Sequence, residues 1–268
     1  MTVADYAALR VTREGHLTWC TLHRPDSLNA LDRALVQDLR DFFARLPEDT
    51  ETRVVVLRGA GRAFCAGLDL KAQAPSEGDS SVQAVLRGQR RISEIVMLMQ
   101  RAPQPIIAAV HGPACGGGFA LALAADVRIA GETARMNAAF IRLGLSACDV
   151  GVSYFLPRLV GASVAAELLL TGSFIDAVRA ERVGLVSRVV PDAELESAAR
   201  ALAHDMLRNT PLGLRLTKEC LRASLDAGSL EQVVAMEDRN QVLCVGTEDF
   251  REGIAAFLQK RPARFRDA

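Results

Sequence analysis

Lysine is almost missing from this chain: of its 32 basic residues only Lys71, Lys218 and Lys260 are lysines. None stands in the order Gly-Lys-Ser/Thr, so a Walker-type phosphate loop is excluded. Aromatics are also scarce, at 5% of 268 residues, which leaves Ala, Leu and Val to fill the interior. The cysteines, at positions 20, 65, 115, 148, 220 and 244, lack paired C-x-x-C spacing. They read as small buried hydrophobes in a reducing compartment rather than as disulfides or zinc ligands. No apolar run reaches the ~18 residues of a membrane span. The opening Met-Thr-Val-Ala-Asp-Tyr lacks the basic-then-apolar order of a secretory signal. The 32 basic and 32 acidic residues cancel, so there is neither a nucleic-acid footprint nor an acidic tail. The expectation is a cytoplasmic protein with no membrane, nucleic-acid or metal partner.

What is present is apolar. Half of the residues are hydrophobic, and a chain of this length buries roughly three quarters of its unfolded surface without staples. Residues 7–12 and 16–23 read as a hairpin turning at Glu14-Gly15. Apolar spacing from Leu31 to Leu46 predicts a helix ended by Pro47. Arg53-Val54-Val55-Val56-Leu57-Arg58, Pro105 to Val110 and Asp126 to Ala130 read as buried strands, with a long helix from about Val82 to Gln100 between the first two. Residues 72–81 are polar and breaker-rich, which predicts a mobile loop. Strands alternating with helices imply an α/β fold with mainly parallel pairing. Gly184 to Val190 reads as a late strand. Beyond Pro191 the pattern is helical, over 192–207, 211–225, 229–244 and 247–259. The composition shift near residue 205 divides a core, residues 1–205, from a helical region, residues 206–268. Leu212, Leu216, Cys220 and Ala223 recur at helical spacing, as do Val233, Val234 and Leu243, a pattern that more often marks intramolecular core.

Two glycine-centred segments follow buried strands: Ala66-Gly67-Leu68-Asp69-Leu70 and Cys115-Gly116-Gly117-Gly118. Asp69 and Cys115 aside, neither carries a nucleophile or a metal ligand. What they offer is backbone N–H groups that glycine lets a ligand approach. Two such donors converging on one carbonyl oxygen stabilise the negative charge that develops there, so the chemistry indicated is that of an activated carbonyl such as a thioester. The plainer reading of the triplet is a tight strand-to-helix turn. Asp69 reads as a loop-fixing hydrogen bonder and His111 as a structural donor at a turn. No histidine lies close in sequence to Cys115 or Cys148, which argues against a thiolate nucleophile.

Arg24-Pro25-x-x-x-Asn29-Ala30-Leu31, Phe64 to Leu70 and His111-Gly112-x-x-x-Gly116-Gly117-Gly118 together resemble the crotonase (enoyl-CoA hydratase/isomerase) superfamily. The resemblance continues, in order, through Leu156 to Gly161, Gly184-Leu185-Val186 and Phe257 to Arg261. It implies a crotonase-like ββα spiral core with a C-terminal helical region that drives trimerisation, commonly into a dimer of trimers. It also implies an acyl-CoA substrate, with coenzyme A entering as part of the thioester rather than as a cofactor. By the same resemblance the Leu68 and Gly117 amides hold the thioester oxygen. Ala66, Leu68, Asp69, Leu70 and Lys71 line the CoA pocket with Gly117, and Phe257 and Lys260 reach CoA, often from a neighbouring subunit.

One departure matters. Hydratases of the family use two glutamates to add water, and at the matching positions this chain has Ala120 and Phe140. Neither can move a proton, and general acid–base groups are worth roughly 10²–10⁴-fold each. An acid remains nearby, Asp149. Other branches of the family, the dienoyl-CoA isomerases among them, place an essential aspartate in this stretch, at a spacing one residue shorter. Asp149 is therefore a candidate base, or alternatively an N-cap for a helix expected over 150–158. The expected function is enolate chemistry on an acyl-CoA thioester, with isomerisation through Asp149 favoured over standard hydration. The alternatives are a non-catalytic acyl-CoA-binding protein, and a hydrolase or carbon–carbon lyase of a cyclic β-keto thioester.

Overall fold

The computed structural model describes residues 6–71 and 81–267. The loop expected over 72–81 lies, except for Ser81, outside the described residues. A hairpin of β1 (Leu9–Glu14) and β2 (Leu17–Leu22) opens the chain, turning at Gly15. Next come α1 (Arg33–Arg45), β3 (Val54–Gly59), α2 (Val82–Arg101) and β4 (Ile106–Val110). The glycine region holds β5 (Pro113–Cys115) and α3 (Gly117–Ala124). Then follow β6 (Val127–Gly131), β7 (Arg135–Asn137), α4 (Val152–Val160), α5 (Ala162–Thr171), β8 (Ile175–Asp176), α6 (Ala177–Arg182) and β9 (Arg188–Val190). Helices α7 (Leu195–Leu207), α8 (Pro211–Ser224), α9 (Leu230–Val245) and α10 (Glu248–Leu258) complete the chain.

The main sheet runs in the order β1-β2-β3-β4-β6-β9 and is parallel from β2 onward, with β1 antiparallel at its edge. A smaller sheet, β5-β7-β8, carries the strand that feeds α3. Side chains on a strand alternate faces, and here they alternate between two cores. Val55, Leu57, Ile106 and Ala108 join the large core that contains α1, α2 and α3. Val54, Val56, Ile107 and Ala109 pack with Leu195, Ala199 and Ala203 of α7. Burial on both faces is why these strands read as continuous apolar runs. Helix starts follow the expected capping chemistry: Asp32, Ser81, Thr210, Ser229 and Thr247 each accept an N–H of the first turn.

Several expectations need correction. The late strand is only Arg188–Val190, because Gly184 (φ +80°) and Leu185 turn back on α6, where Ala180 O accepts the Leu185 N–H. The pairings of β5, β7 and β8 had no sequence signature, each strand being three residues or fewer. Cys20 and Cys65 are buried, but Cys148 is exposed and the other cysteines are half-buried. The apolar stripes of α8 and α9 are not core: Leu212, Leu216 and Cys220 are half-buried, and Ala223, Val234 and Leu243 are exposed. Leu221, Leu225, Leu230, Val242 and Phe257 are likewise exposed.

The terminal helices are tied to the core by Lys218. Its ammonium, 7% exposed, lies 2.8 Å from Asp126 and donates to the carbonyls of Gln104 (2.9 Å) and Met99 (3.2 Å). Arg222 adds a bond to Gln100 O. Burial pushes the Lys218 pKa below the ordinary lysine value, while Asp126 pulls it back up. Removing one partner of a buried pair leaves the rest unpaired. The Lys218→Ala variant is therefore expected to lose on the order of 3 kcal/mol of unfolding free energy, measured by urea titration.

Candidate active site

The geometry begins at Asn29. Buried and in the left-handed region (φ +56°), it accepts the Arg24 N–H through Oδ1 at 2.9 Å. Its Nδ2 donates to the carbonyls of Ala60, Ala63 and Phe64. The loop after β3 is thereby stapled to the loop before α1. Arg24 extends the staple, its guanidinium lying 3.2 Å from Asp32 and 3.0 Å from Asp69. Asp69 is thus the loop-fixing residue expected from its setting. The role of Arg24 and Asn29 as a staple does not emerge from the sequence itself, because Asp69, Ala60, Ala63 and Phe64, the partners that make it one, lie more than thirty positions away.

From this staple the segment after β3 runs between two partners. Cys65 bridges Ala114: its N–H donates to Pro113 O (3.1 Å) and its carbonyl accepts from the Cys115 N–H (2.9 Å). On the opposite side, Ala66 N–H donates to Leu28 O, Gly67 O accepts from Leu31 N–H, and Asp69 N–H donates to Leu31 O. A parallel bridge to Leu31 made through Gly67 O and Asp69 N leaves the intervening Leu68 N–H facing away from Leu31. It takes no backbone carbonyl among the described residues. The side it faces is that of the Cys115-Gly116-Gly117 turn. A Cβ on Gly67 (φ +91°) would stand 2.6 Å from Cys115 O and 3.5 Å from Gly117 N.

Gly117 is the first residue of α3, where the N–H has no intrahelical partner. Gly116 before it has φ +50° and ψ −115°, a conformation open only to glycine, and its N–H is used on Asn137 O. A Cβ on Gly118 would overlap Cys65 O at 2.1 Å, so the helix can meet the Cys65–Leu68 segment this closely only without a side chain there. The two N–H groups of Leu68 and Gly117 are thus left over from two pairing systems that meet at Gly67.

Helix α3 is buried on all sides, which leaves its C-terminal carbonyls without water. Arg128 answers this. Its guanidinium donates to the carbonyls of Ala122, Leu123 and Ala125, and through Nε to Leu185 O. Burial lowers its pKa to about 10, and its charge sits at the negative end of the helix whose positive end carries Gly117. Cys65 is no nucleophile: burial pushes its thiol up to about 12. Burial also raises Cys115. His111 Nε2 lies 2.8 Å from Gly61 O, a turn-fixing bond as expected.

Ala120 is fully buried in α3. Phe140, in the short 3₁₀ segment Ala139–Leu143, is also buried, its Cε1 standing 3.4 Å from where a Gly116 Cβ would be. An apolar ring and a methyl therefore occupy the positions where an acid pair was sought. Asp149 lies in the turn entering α4, a helix that packs on α3. It is not the N-cap of that helix. The cap is Gly151, without a side-chain bond, and the helix begins at Val152 because Val150 (φ +47°) and Gly151 (φ +83°) are both left-handed. The Asp149 side chain instead accepts from Val150 N–H (2.8 Å) and Gln89 Nε2 (2.5 Å) through Oδ1. Burial raises its pKa above the ordinary carboxylate value, and these two donors lower it in part.

Of the remaining candidates, Ala66 is half-buried beside the bridge, and Leu70 and Lys71 are exposed where the described segment ends. Phe257, 81% exposed, and Lys260 lie at the end of α10, which packs against α9. No hydrogen bond or ion pair among the described residues brings them to Leu68 or Gly117. The tail after them is folded back, with Glu252 gripping Arg261 and Arg264 N–H and Asp249 accepting from Arg266 and Asp267 N–H. Among the described residues no cluster of three metal-ligating side chains occurs, and no helix is long and apolar enough to cross a membrane.

Comparison with known proteins agrees with this architecture. The sequence model of the family described as enoyl-CoA hydratase/isomerase matches residues 12–268. The protein named "Probable enoyl-CoA hydratase echA12" of Mycobacterium leprae is 42% identical over 271 residues, covering 100% of this chain and 92% of that protein. The 2,3-dehydroadipyl-CoA hydratase of Escherichia coli is 39% identical, covering 96% and 98%. The crystal structure of enoyl-CoA hydratase from Bacillus anthracis superposes with a TM-score of 0.92 at 34% identity, covering 97% of this chain and all of that one. Fold, bridge geometry and these matches agree: the chain belongs to the enoyl-CoA hydratase/isomerase family, on a crotonase fold.

Proposed function

We propose that this chain binds an acyl-CoA thioester with its carbonyl oxygen between the Leu68 and Gly117 N–H groups, and shifts a double bond by proton transfer at Asp149. The observation that carries the reading is the pairing around Gly67, which leaves these two donors unused on adjoining segments. In the proposed reaction the Asp149 carboxylate removes a proton from the acyl chain. The electron pair moves into the carbonyl, the two N–H groups stabilise the oxyanion, and the same proton returns at another carbon. Substrate and product are isomers, so no water or redox partner is consumed.

The residues at 120 and 140 favour isomerisation over hydration. The names of the relatives speak of water addition, but Ala120 and Phe140 cannot orient a water molecule. Coenzyme A lies, in this proposal, along Ala66, Leu68, Asp69, Leu70, Lys71 and Gly117, with Phe257 and Lys260 supplied by a neighbouring subunit. The exposed apolar side chains of α8, α9 and α10 support self-association, and the family resemblance implies that the assembly is a trimer. Sedimentation equilibrium at micromolar concentration is expected to give a trimer or a multiple of it, and a monomer would overturn the shared-site arrangement.

A Cβ at Gly67 would push Cys115 O away and disturb Gly117 with it. Gly67→Ala is expected to lower kcat by about 10²–10³-fold, the usual loss of one oxyanion donor. The central test is a spectrophotometric screen of crotonyl-CoA, a 3-enoyl-CoA, a conjugated dienoyl-CoA and a cyclic β-keto acyl-CoA. Wild type and Asp149→Asn are compared side by side. Isomerisation that falls about 10²–10⁴-fold in the variant is expected. Because the base works only when deprotonated and burial raises its pKa, kcat/KM should climb with pH through a midpoint above the ordinary carboxylate value. Hydration of crotonyl-CoA at hydratase rates, or an unimpaired variant, would sink the reading. Tight binding without turnover of any thioester would make the chain an acyl-CoA-binding protein instead.

A further inference from the structure

Asp149 is held asymmetrically. Both donors that reach it, Gln89 Nε2 at 2.5 Å and Val150 N–H at 2.8 Å, bind the same oxygen, Oδ1. Oδ2 accepts from no donor among the described residues, yet it is not one of the fully buried polar atoms left without a partner. An oxygen already accepting two N–H bonds is a poor place for a proton, since the lone pairs that would take it are occupied. The open oxygen is the one able to exchange a proton.

Each donor has its own structural cause. The Val150 N–H belongs to the peptide that follows Asp149, and Val150 itself is held left-handed, a costly conformation for a β-branched residue. Burial of Val150 and Val152 holds it there. Gln89 comes from the other side, on the first half of α2. Around it that helix is largely exposed, with Val85, Leu86, Arg87, Gly88 and Arg90 open to solvent, whereas Gln89 itself is half-buried. The helix packs firmly only further on, through Ile95, Val96 and Met99. Gln89 stands three and seven positions before Ile92 and Val96, on the face of α2 that turns inward, and it meets Asp149 there.

We infer that Gln89 is a positioning residue for Asp149, fixing Oδ1 as the hydrogen-bonded oxygen and Oδ2 as the atom that carries the proton. The inference rests on the reading of Asp149 as the base for its catalytic meaning, but the effect on the carboxyl group itself does not. The surroundings leave few competitors. Helix α3 has no titratable side chain. On α4, Tyr154 and Arg158 are engaged with Asp226. On α2, Arg87, Arg90 and Arg91 flank Gln89 and Glu94 pairs with Arg40, while Arg142 sits on the preceding 3₁₀ segment and Cys148 is the exposed neighbour in sequence. No charged side chain contributes to the Asp149 shift, which comes from burial and the two donors. Deleting one donor destabilises the carboxylate, so the pKa must rise.

The test compares wild type with Gln89→Met, which keeps length and removes the donor, and Gln89→Glu, which sets a second carboxyl against Oδ1. Carboxyl ¹³C NMR on aspartate-labelled protein follows the Asp149 titration, assigned by the signal missing from Asp149→Asn. The midpoint is expected to rise by about one pH unit in Gln89→Met and further in Gln89→Glu. On whichever thioester of the screen is turned over, the acid limb of kcat/KM should move with it, and kcat should fall with little change in KM. A merely structural role would lower the melting temperature without moving either midpoint. An unshifted ¹³C titration in a folded Gln89→Met protein overturns the inference. If instead the titration moves but Asp149→Asn turns over substrate normally, Gln89 tunes the carboxyl and the reading of Asp149 as base is what fails.

Discussion

Much of this molecule depends on how one short segment, Cys65 to Asp69, divides its backbone bonds. A peptide chain presents donors and acceptors alternately to its two sides, and buried ones must be paired. Here Cys65 spends its bonds on the neighbours of Ala114, while Ala66, Gly67 and Asp69 spend theirs on Leu28 and Leu31. The Leu68 N–H is the remainder, and it remains on the side where α3 begins. The site therefore needs no special side chain for its donors. It needs two strand-like pairings to be slightly incomplete at the same place, with glycine allowing the close approach.

Holding that arrangement takes polar groups on either side of it. Asn29 and Arg24 fix the approach of the segment, and Arg128 neutralises the far end of the helix that supplies Gly117. Each makes several hydrogen bonds to carbonyls or carboxylates, so the cost of burying it is offset. Lys218 does the same service for the terminal helices, anchoring α8 to the ends of α2 and β4. The few aromatics are spent mostly inside, with Trp19, Phe43, Phe64 and Phe119 fully buried. The Trp19 ring is flanked by Arg58 and Arg200 guanidinium groups at 4.5 and 5.0 Å.

How far the sequence could be read followed from the range of the interactions. Strand β3 was legible because burial on both faces writes itself as Val54-Val55-Val56-Leu57. Helices α8, α9 and α10 were legible in the helical pattern beyond Pro191, and they start within one residue of the expected positions, each behind a local cap at Thr210, Ser229 or Thr247. The small sheet was not, since β5 and β7 pair over three positions and no local pattern marks them. The strand ending at Val190 was read too long because Gly184 and Leu185 are apolar enough for a strand yet are used to close α6. Asp149 was read as a possible cap because aspartate often is one, but two left-handed residues in a row intervene before the helix.

The chain itself, through ordered motifs and the spacing of apolar residues, determined the fold family and the strand–helix alternation, and it marked the two glycine-centred segments that the fold brings together. Such features depend on neighbours within a turn or a strand, so they survive in one dimension. Only the folded chain decided which oxygen of Asp149 is engaged, that Gln89 reaches it across sixty positions, and that Arg24 binds Asp69. Those contacts depend on where α2, the 3₁₀ segment and the loop after β3 come to rest against one another. Long-range packing sets that geometry, and no local pattern encodes it.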